Sequence, residues 1–138
     1  MTLVIDASVA VKWVVPEVLS DKADALLAGR DDLAAPDLLL VEAANALWHK
    51  TVRKEISPPE ADQALALLLE SSIELVATAP LLPRALDLAR ALTHQVYDCV
   101  YLALAERERA GLVTADSRLV TRSARRRLRV RVIDLATL

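Results

Sequence analysis

Leu3-Val4-Ile5-Asp6-Ala7-Ser8 opens with three apolar residues, two of them β-branched, and then a carboxylate. The run reads as a short strand buried on both faces of a sheet. In open α/β sheets, ligands sit in the crevice at the carboxyl ends of the strands. Asp6 stands at that place. Leu112-Val113-Thr114-Ala115-Asp116 repeats the arrangement with an apolar run, small residues and an acid. Parallel strands bring both acids to one rim. Taken singly, each acid has a plainer reading as an Asx turn or a helix cap.

Between these two runs the chain alternates strands and helices. Further strands are expected at Leu33 to Ala35, Ile73 to Ala77 and Val130 to Ile133. A helical pattern runs from Val9, breaks near Pro16 and resumes to Gly29, a C-terminal stop. Asp37 reads as the N-cap of a helix to Arg53, and Ser57-Pro58-Pro59 opens another to Glu70. Pro80 or Pro83 starts a helix to Leu92, and Thr93 to Tyr97 reads as a loop. The next helix runs from Asp98 to Arg109, closed by Gly111, and the last from Asp116 to Arg127. This order predicts one α/β domain over residues 1–138, a parallel sheet of about five strands with helices on both faces.

Composition narrows the function. The apolar share of 54% predicts a well-filled core, but there are only four aromatic rings, Trp13, Trp48, Tyr97 and Tyr101. An aromatic stacking platform for nucleic acid is therefore disfavoured. A single cysteine, Cys99, excludes an intrachain disulfide and a cysteine-based zinc site, and suits a reducing cytoplasm. The first residues lack the basic and long apolar regions of a signal peptide, and no stretch is long and apolar enough for a membrane span. Net charge is −2, split as −8 over residues 1–116 and +6 from Ser117 onward, where seven arginines meet one acid. That tail reads either as a polyanion footprint or as a solvated helix face.

Two more acids stand out. Glu42 lies in Leu38-Leu39-Leu40-Val41-Glu42-Ala43-Ala44-Asn45-Ala46-Leu47-Trp48, a pattern apolar on nearly all sides. An ionised carboxylate on a buried helix is costly unless paired or bound to metal. Asn45 and His49 share its face at helical spacing, and the alternative is a helix with one solvent edge. Asp98 reads as the N-cap of Cys99-Val100-Tyr101-Leu102-Ala103-Leu104-Ala105, with Tyr101, Leu102 and Ala105 turning its side toward the core. Four acids together disfavour joint ionisation unless a hard cation such as Mg²⁺ or Mn²⁺ offsets them. Ser8 and Thr114, two residues from the strand-end acids, are candidates to hold them in place. His49 and His94 read as surface or loop residues, and Cys99 as a small core residue.

With those residues in view, the chain resembles the PIN-domain ribonucleases, specifically the VapC-type toxins of bacterial toxin–antitoxin pairs. Val4-Ile5-Asp6-Ala7-Ser8 matches the family's opening acid, and Ala35 to Leu47 its helix-borne glutamate. Tyr97-Asp98-Cys99-Val100-Tyr101-Leu102-Ala103-Leu104-Ala105 matches the second aspartate, with Cys99 where a small residue is usual. Leu112-Val113-Thr114-Ala115-Asp116 matches the third. The resemblance spans essentially the whole chain. It implies a three-layer PIN-type α/β fold and an Mg²⁺- or Mn²⁺-dependent endoribonuclease. It also implies dimerisation and inhibition by a small VapB-like antitoxin that reaches into the acidic cleft. Asp6, Glu42, Asp98 and Asp116 are then the metal-binding and catalytic set, supported by Ser8, Asn45 and Thr114. The reaction implied is attack of a metal-positioned water on an RNA phosphodiester. Arg118 and Arg122 are candidate RNA contacts, and Trp13, Trp48 and the Leu65 to Leu69 face are candidate dimer surfaces. Some relatives carry a further acid where this chain has Ser117-Arg118-Leu119, which leaves the number of metals open.

The rivals are a haloacid-dehalogenase-type phosphatase, a receiver domain and a non-catalytic RNA- or protein-binding module. The first needs an aspartate where Ser8 stands. The second needs a late lysine, and none follows Lys54.

Overall fold

The computed structural model describes all residues, Met1–Leu138. Five strands form one sheet, all parallel: β1 (Thr2–Ile5), β2 (Asp32–Pro36), β3 (Glu74–Val76), β4 (Gly111–Thr114) and β5 (Val132–Asp134). Their spatial order is β3-β2-β1-β4-β5. The chain therefore runs from β1 to one side through β2 and β3, then crosses back to place β4 and β5 on the other side. The crevice where strand order reverses lies at the carboxyl ends of β1 and β4. That is where Asp6 and Asp116 emerge.

Seven helices cover the faces: α1 (Ala7–Val14), α2 (Ser20–Leu27), α3 (Leu38–Val52), α4 (Pro58–Leu69), α5 (Leu82–Leu92), α6 (Val96–Glu108) and α7 (Ser117–Ala124). The most deeply set is α6, whose residues Cys99 through Ala105 are all buried, as are Val4, Ile5, Leu112 and Val113 of the two central strands. Leu, Val and Ala fill this core, with Tyr101 its one large ring. No helix is long and apolar enough to cross a membrane.

Several local expectations change. Helix α6 starts at Val96 after Gln95, so Asp98 lies inside the first turn and is not its cap. Ser57 does cap α4, in a reciprocal pair with Glu60, as its sequence predicts. Asp37 makes no side-chain cap. Its Oδ1 accepts from the Thr78 hydroxyl at 2.6 Å and backbone N–H at 3.1 Å, and the Thr78 oxygen accepts from Leu38 N–H at 3.1 Å. The end of β3 thus caps α3 from a distance. Nor is α3 buried all round. Leu39, Ala43 and Leu47 face inward, while Val41 is 67% and Trp48 57% exposed. Continuous apolarity here serves two faces, one packed on the domain and one open. Trp13 is taken up internally, donating from Nε1 to the Ala23 carbonyl at 2.7 Å.

Candidate metal centre

Asp6 leaves β1 in extended conformation and starts α1, yet its carboxylate caps nothing. Only 4% of the residue is exposed. Its Oδ2 accepts from Ser8 Oγ at 2.7 Å and from Thr114 Oγ1 at 2.8 Å. Those hydroxyls also order the opposite strand end. Thr114 Oγ1 accepts from the Asp116 N–H and Ser8 Oγ from the Ala115 N–H, each at 3.0 Å. Pairing of β1 with β4 makes this lattice possible, because it sets Ile5 beside Val113.

The other three acids reach the same cleft from different elements. Glu42 projects from α3, and Tyr101 on α6 donates to its Oε1 at 2.6 Å. Asp98 Oδ2 meets Nε2 of His94. Asp116 caps α7 after all, its Oδ1 accepting from the Arg118 N–H at 2.9 Å. Ligand atoms of His94, Asp98 and Asp116 all lie within 4.8 Å of one another. Asp6, Glu42, Asp98 and Asp116 line one cleft of about 480 Å³ with Lys12, Glu17, His49, Lys50 and Arg53.

One pattern runs through the four. Each carboxylate has one oxygen engaged by a polar group of the protein: Oδ2 of Asp6, Oε1 of Glu42, Oδ2 of Asp98 and Oδ1 of Asp116. The second oxygen of each receives no side-chain donor. Burial pushes the Asp6 carboxyl above its ordinary range, with the Asp98 charge adding to it and the two hydroxyls opposing. Glu42 is pushed up to about 7, by burial first and then by the Asp6 and Asp98 charges, against the Tyr101 hydrogen bond. No lysine or arginine lowers either one. Lys12 and Lys50 are turned to Glu17, at 3.0 and 2.5 Å. Asp6 and Glu42, enclosed and without a protein counter-charge, together with the partly buried Asp98 and Asp116, form a donor set suited to a hard divalent cation.

Sequence reasoning reached the four acids, Ser8 and Thr114. It missed Tyr101 and His94 as their partners. His94 is no surface residue, since its side chain is 4% exposed. Asn45 is exposed and off the cleft wall, whereas Ala46, His49, Lys50 and Arg53 of α3 line it. Arg118 extends into solvent beside Asp116, and Arg122 turns inward. The clue to the α3 cations was available in their spacing from Glu42.

An all-parallel five-stranded sheet with acids gathered at its switch point defines a class, and comparison agrees with it. The PIN-domain pattern matches residues 3–125, and the chain belongs to the PIN-domain family. The structure of PAE2754 from Pyrobaculum aerophilum superposes with a TM-score of 0.75 at 25% identity, covering 99% of this chain and 91% of that one. Within the family the chain belongs with the VapC group. It is 35% identical to Ribonuclease VapC3 of P. aerophilum over 121 residues, 86% of this chain and 92% of that protein. VapBC2 from Rickettsia felis, solved bound to a DNA fragment from its promoter, shares the fold. Its TM-score is 0.68 at 17% identity, covering 97% of this chain and 98% of that one.

Proposed function

We propose that this protein is a metal-dependent endoribonuclease, the toxin of a toxin–antitoxin pair, hydrolysing RNA phosphodiester bonds. The observation that carries the reading is the cleft itself, where four carboxylates each present an oxygen to which no side chain donates. Asp6, Glu42, Asp98 and Asp116 would hold the ion, Mg²⁺ or Mn²⁺. When bound, such an ion supplies charge neutralisation at the scissile phosphate and eases deprotonation of the attacking water. The protein's residues do the rest. Ser8, Thr114 and Tyr101 fix carboxylate orientation, so little reorganisation accompanies the reaction. Arg53 on the rim takes a phosphate flanking the cut, with Arg118 beside Asp116. Ribonuclease activity in the VapC3 relative supports the substrate class.

The proposal includes two assemblies and a compartment. A VapB-like antitoxin blocks the cleft, and the VapBC complex with the same fold supports that partner. A homodimer uses an apolar stripe on α3, where Val41, Trp48 and Val52 recur at helical spacing and are exposed. The lone thiol of Cys99 suits the cytoplasm.

The rival is a non-catalytic RNA-binding module. RNA cleavage is assayed with Mg²⁺, with Mn²⁺ and with chelator, on the parent and on Asp98→Asn. The proposal expects cleavage that chelator stops, and a loss of about a hundredfold or more in the variant, a few kcal/mol in the barrier. Metal-independent cleavage, or an Asp98→Asn variant that cuts at the parental rate, refutes it.

A further inference from the structure

His94 invites assignment as a fourth ligand type, because its Nε2 lies among the carboxylate oxygens of Asp98 and Asp116. The far side of the ring decides otherwise. Arg122 on α7 donates from Nη1 to the Thr93 carbonyl at 3.0 Å and contacts His94 Nδ1 at 2.9 Å. A guanidinium carries only donors. Nδ1 must therefore accept, and bears no proton. A neutral imidazole has one N–H, so it sits on Nε2 and points at Asp98 Oδ2.

The Arg122 contact at Nδ1 removes two alternatives. A doubly protonated ring sets its Nδ1–H against the Arg122 N–H. A cation on Nε2 needs a lone pair there, which moves the ring proton to Nδ1 and against the same guanidinium. With Arg122 in place, Nε2 is a donor and not a ligand.

We propose that His94, held in its Nε2–H tautomer by Arg122, is a positioning residue that fixes Asp98 Oδ2 and presents Oδ1 to the cation. The inference rests on the metal-nuclease reading above and adds to it a proton address and a second helix. Arg122 follows Asp116 on α7, and Asp98 follows His94 into α6. One guanidinium thus ties together the two segments that carry these acids. Its other acceptor, the Thr93 carbonyl, belongs to a left-handed residue (φ 50°) that ends α5. The linker from α5 to α6 is pinned at the point where it turns. Arg122 consequently acts through the ring, and not as a free RNA contact.

The test uses the full-length protein with three readouts: Mn²⁺ affinity by electron paramagnetic resonance of the free ion, single-turnover cleavage, and ¹⁵N NMR of the imidazole with and without Mg²⁺. His94→Leu keeps bulk and removes both nitrogens. His94→Gln restores an N–H toward Asp98 and a carbonyl oxygen that can accept from Arg122. Expected is a 10- to 100-fold loss of Mn²⁺ affinity in His94→Leu, as for other groups that orient metal ligands, with His94→Gln within about threefold of the parent. In the parent the proton stays on Nε2 when Mg²⁺ saturates, and in Arg122→Met the tautomers mix. If Mg²⁺ strips the proton from Nε2, or if His94→Leu binds Mn²⁺ like the parent, the inference is overturned. Asp98→Asn separates the two levels. Should it too bind like the parent, the metal reading itself fails. Should it alone lose binding, only the role of His94 fails. A His94→Leu chain that does not fold by circular dichroism leaves the decision to His94→Gln and to the parental NMR.

Discussion

Asp6 and Asp98 line the same cleft and are held in different ways. Asp6, at the floor, is almost fully buried and supported by two neutral hydroxyls, with no positive charge behind them. Asp98, on the wall, is less enclosed and backed by an imidazole with a guanidinium behind it. On the metal-nuclease proposal the floor is therefore the part that most needs a cation, while the wall carries positive charge at one remove. The difference teaches that stability and function pull apart chiefly at Asp6. A buried carboxylate without a counter-charge weakens the fold while the cation is absent.

The sharpest test of that contrast compares Asp6→Asn with Asp98→Asn. Both lose about a hundredfold or more in cleavage, measured under single turnover. In metal-free protein at pH 8 only Asp6→Asn gains stability, by about 1 kcal/mol or roughly 3 °C in melting temperature. An equal gain in both breaks the comparison. Next in size is Thr114→Val, which removes one hydroxyl from Asp6 and leaves the Asp116 N–H without its acceptor. It costs about 1–3 kcal/mol in denaturant titrations at pH 8.

Why one half of this contrast was legible and the other was not follows from geometry. Ser8 and Thr114 lie two residues from strand-end acids, and parallel pairing of two apolar runs forces them together. The fold class follows from the same runs. His94 escaped because the helix was expected to begin at Asp98. Starting it at Val96 puts Asp98 inside the first turn and makes His94 its neighbour, which a loop placement conceals. Tyr101 was recognised as core but not as a donor, since its partner is fifty-nine positions away. Glu42 was singled out from excess apolarity around it. That apolarity reflects an exposed stripe as well as a buried one, so Glu42 lines the cleft on a helix that is only half buried.

Glu42 supplies a smaller, pH-dependent effect. Its carboxyl titrates near 7 in the fold against an ordinary 4.5. The folded metal-free state holds the extra proton, so this contribution to stability is full below about pH 4.5 and lost as pH rises through 7. Metal binding must expel that proton. Calorimetry in buffers of different ionisation enthalpy should show proton release at pH 6 and little at pH 8.5, and Glu42→Gln should show less release at pH 6. Smallest is the rim. Arg53→Ala should raise KM about threefold with kcat nearly unchanged and lower the salt slope of RNA binding by about 1. An unchanged salt slope removes Arg53 from the RNA path.

The central claim is that four side chains share one cation-dependent pocket, and a direct titration of Mn²⁺ into the parent and its single carboxamide variants tests it. Asp6→Asn, Glu42→Gln, Asp98→Asn and Asp116→Asn should each weaken binding by about tenfold or more while the circular dichroism spectrum stays parental. Parental affinity in two or more of the four would contradict the shared site.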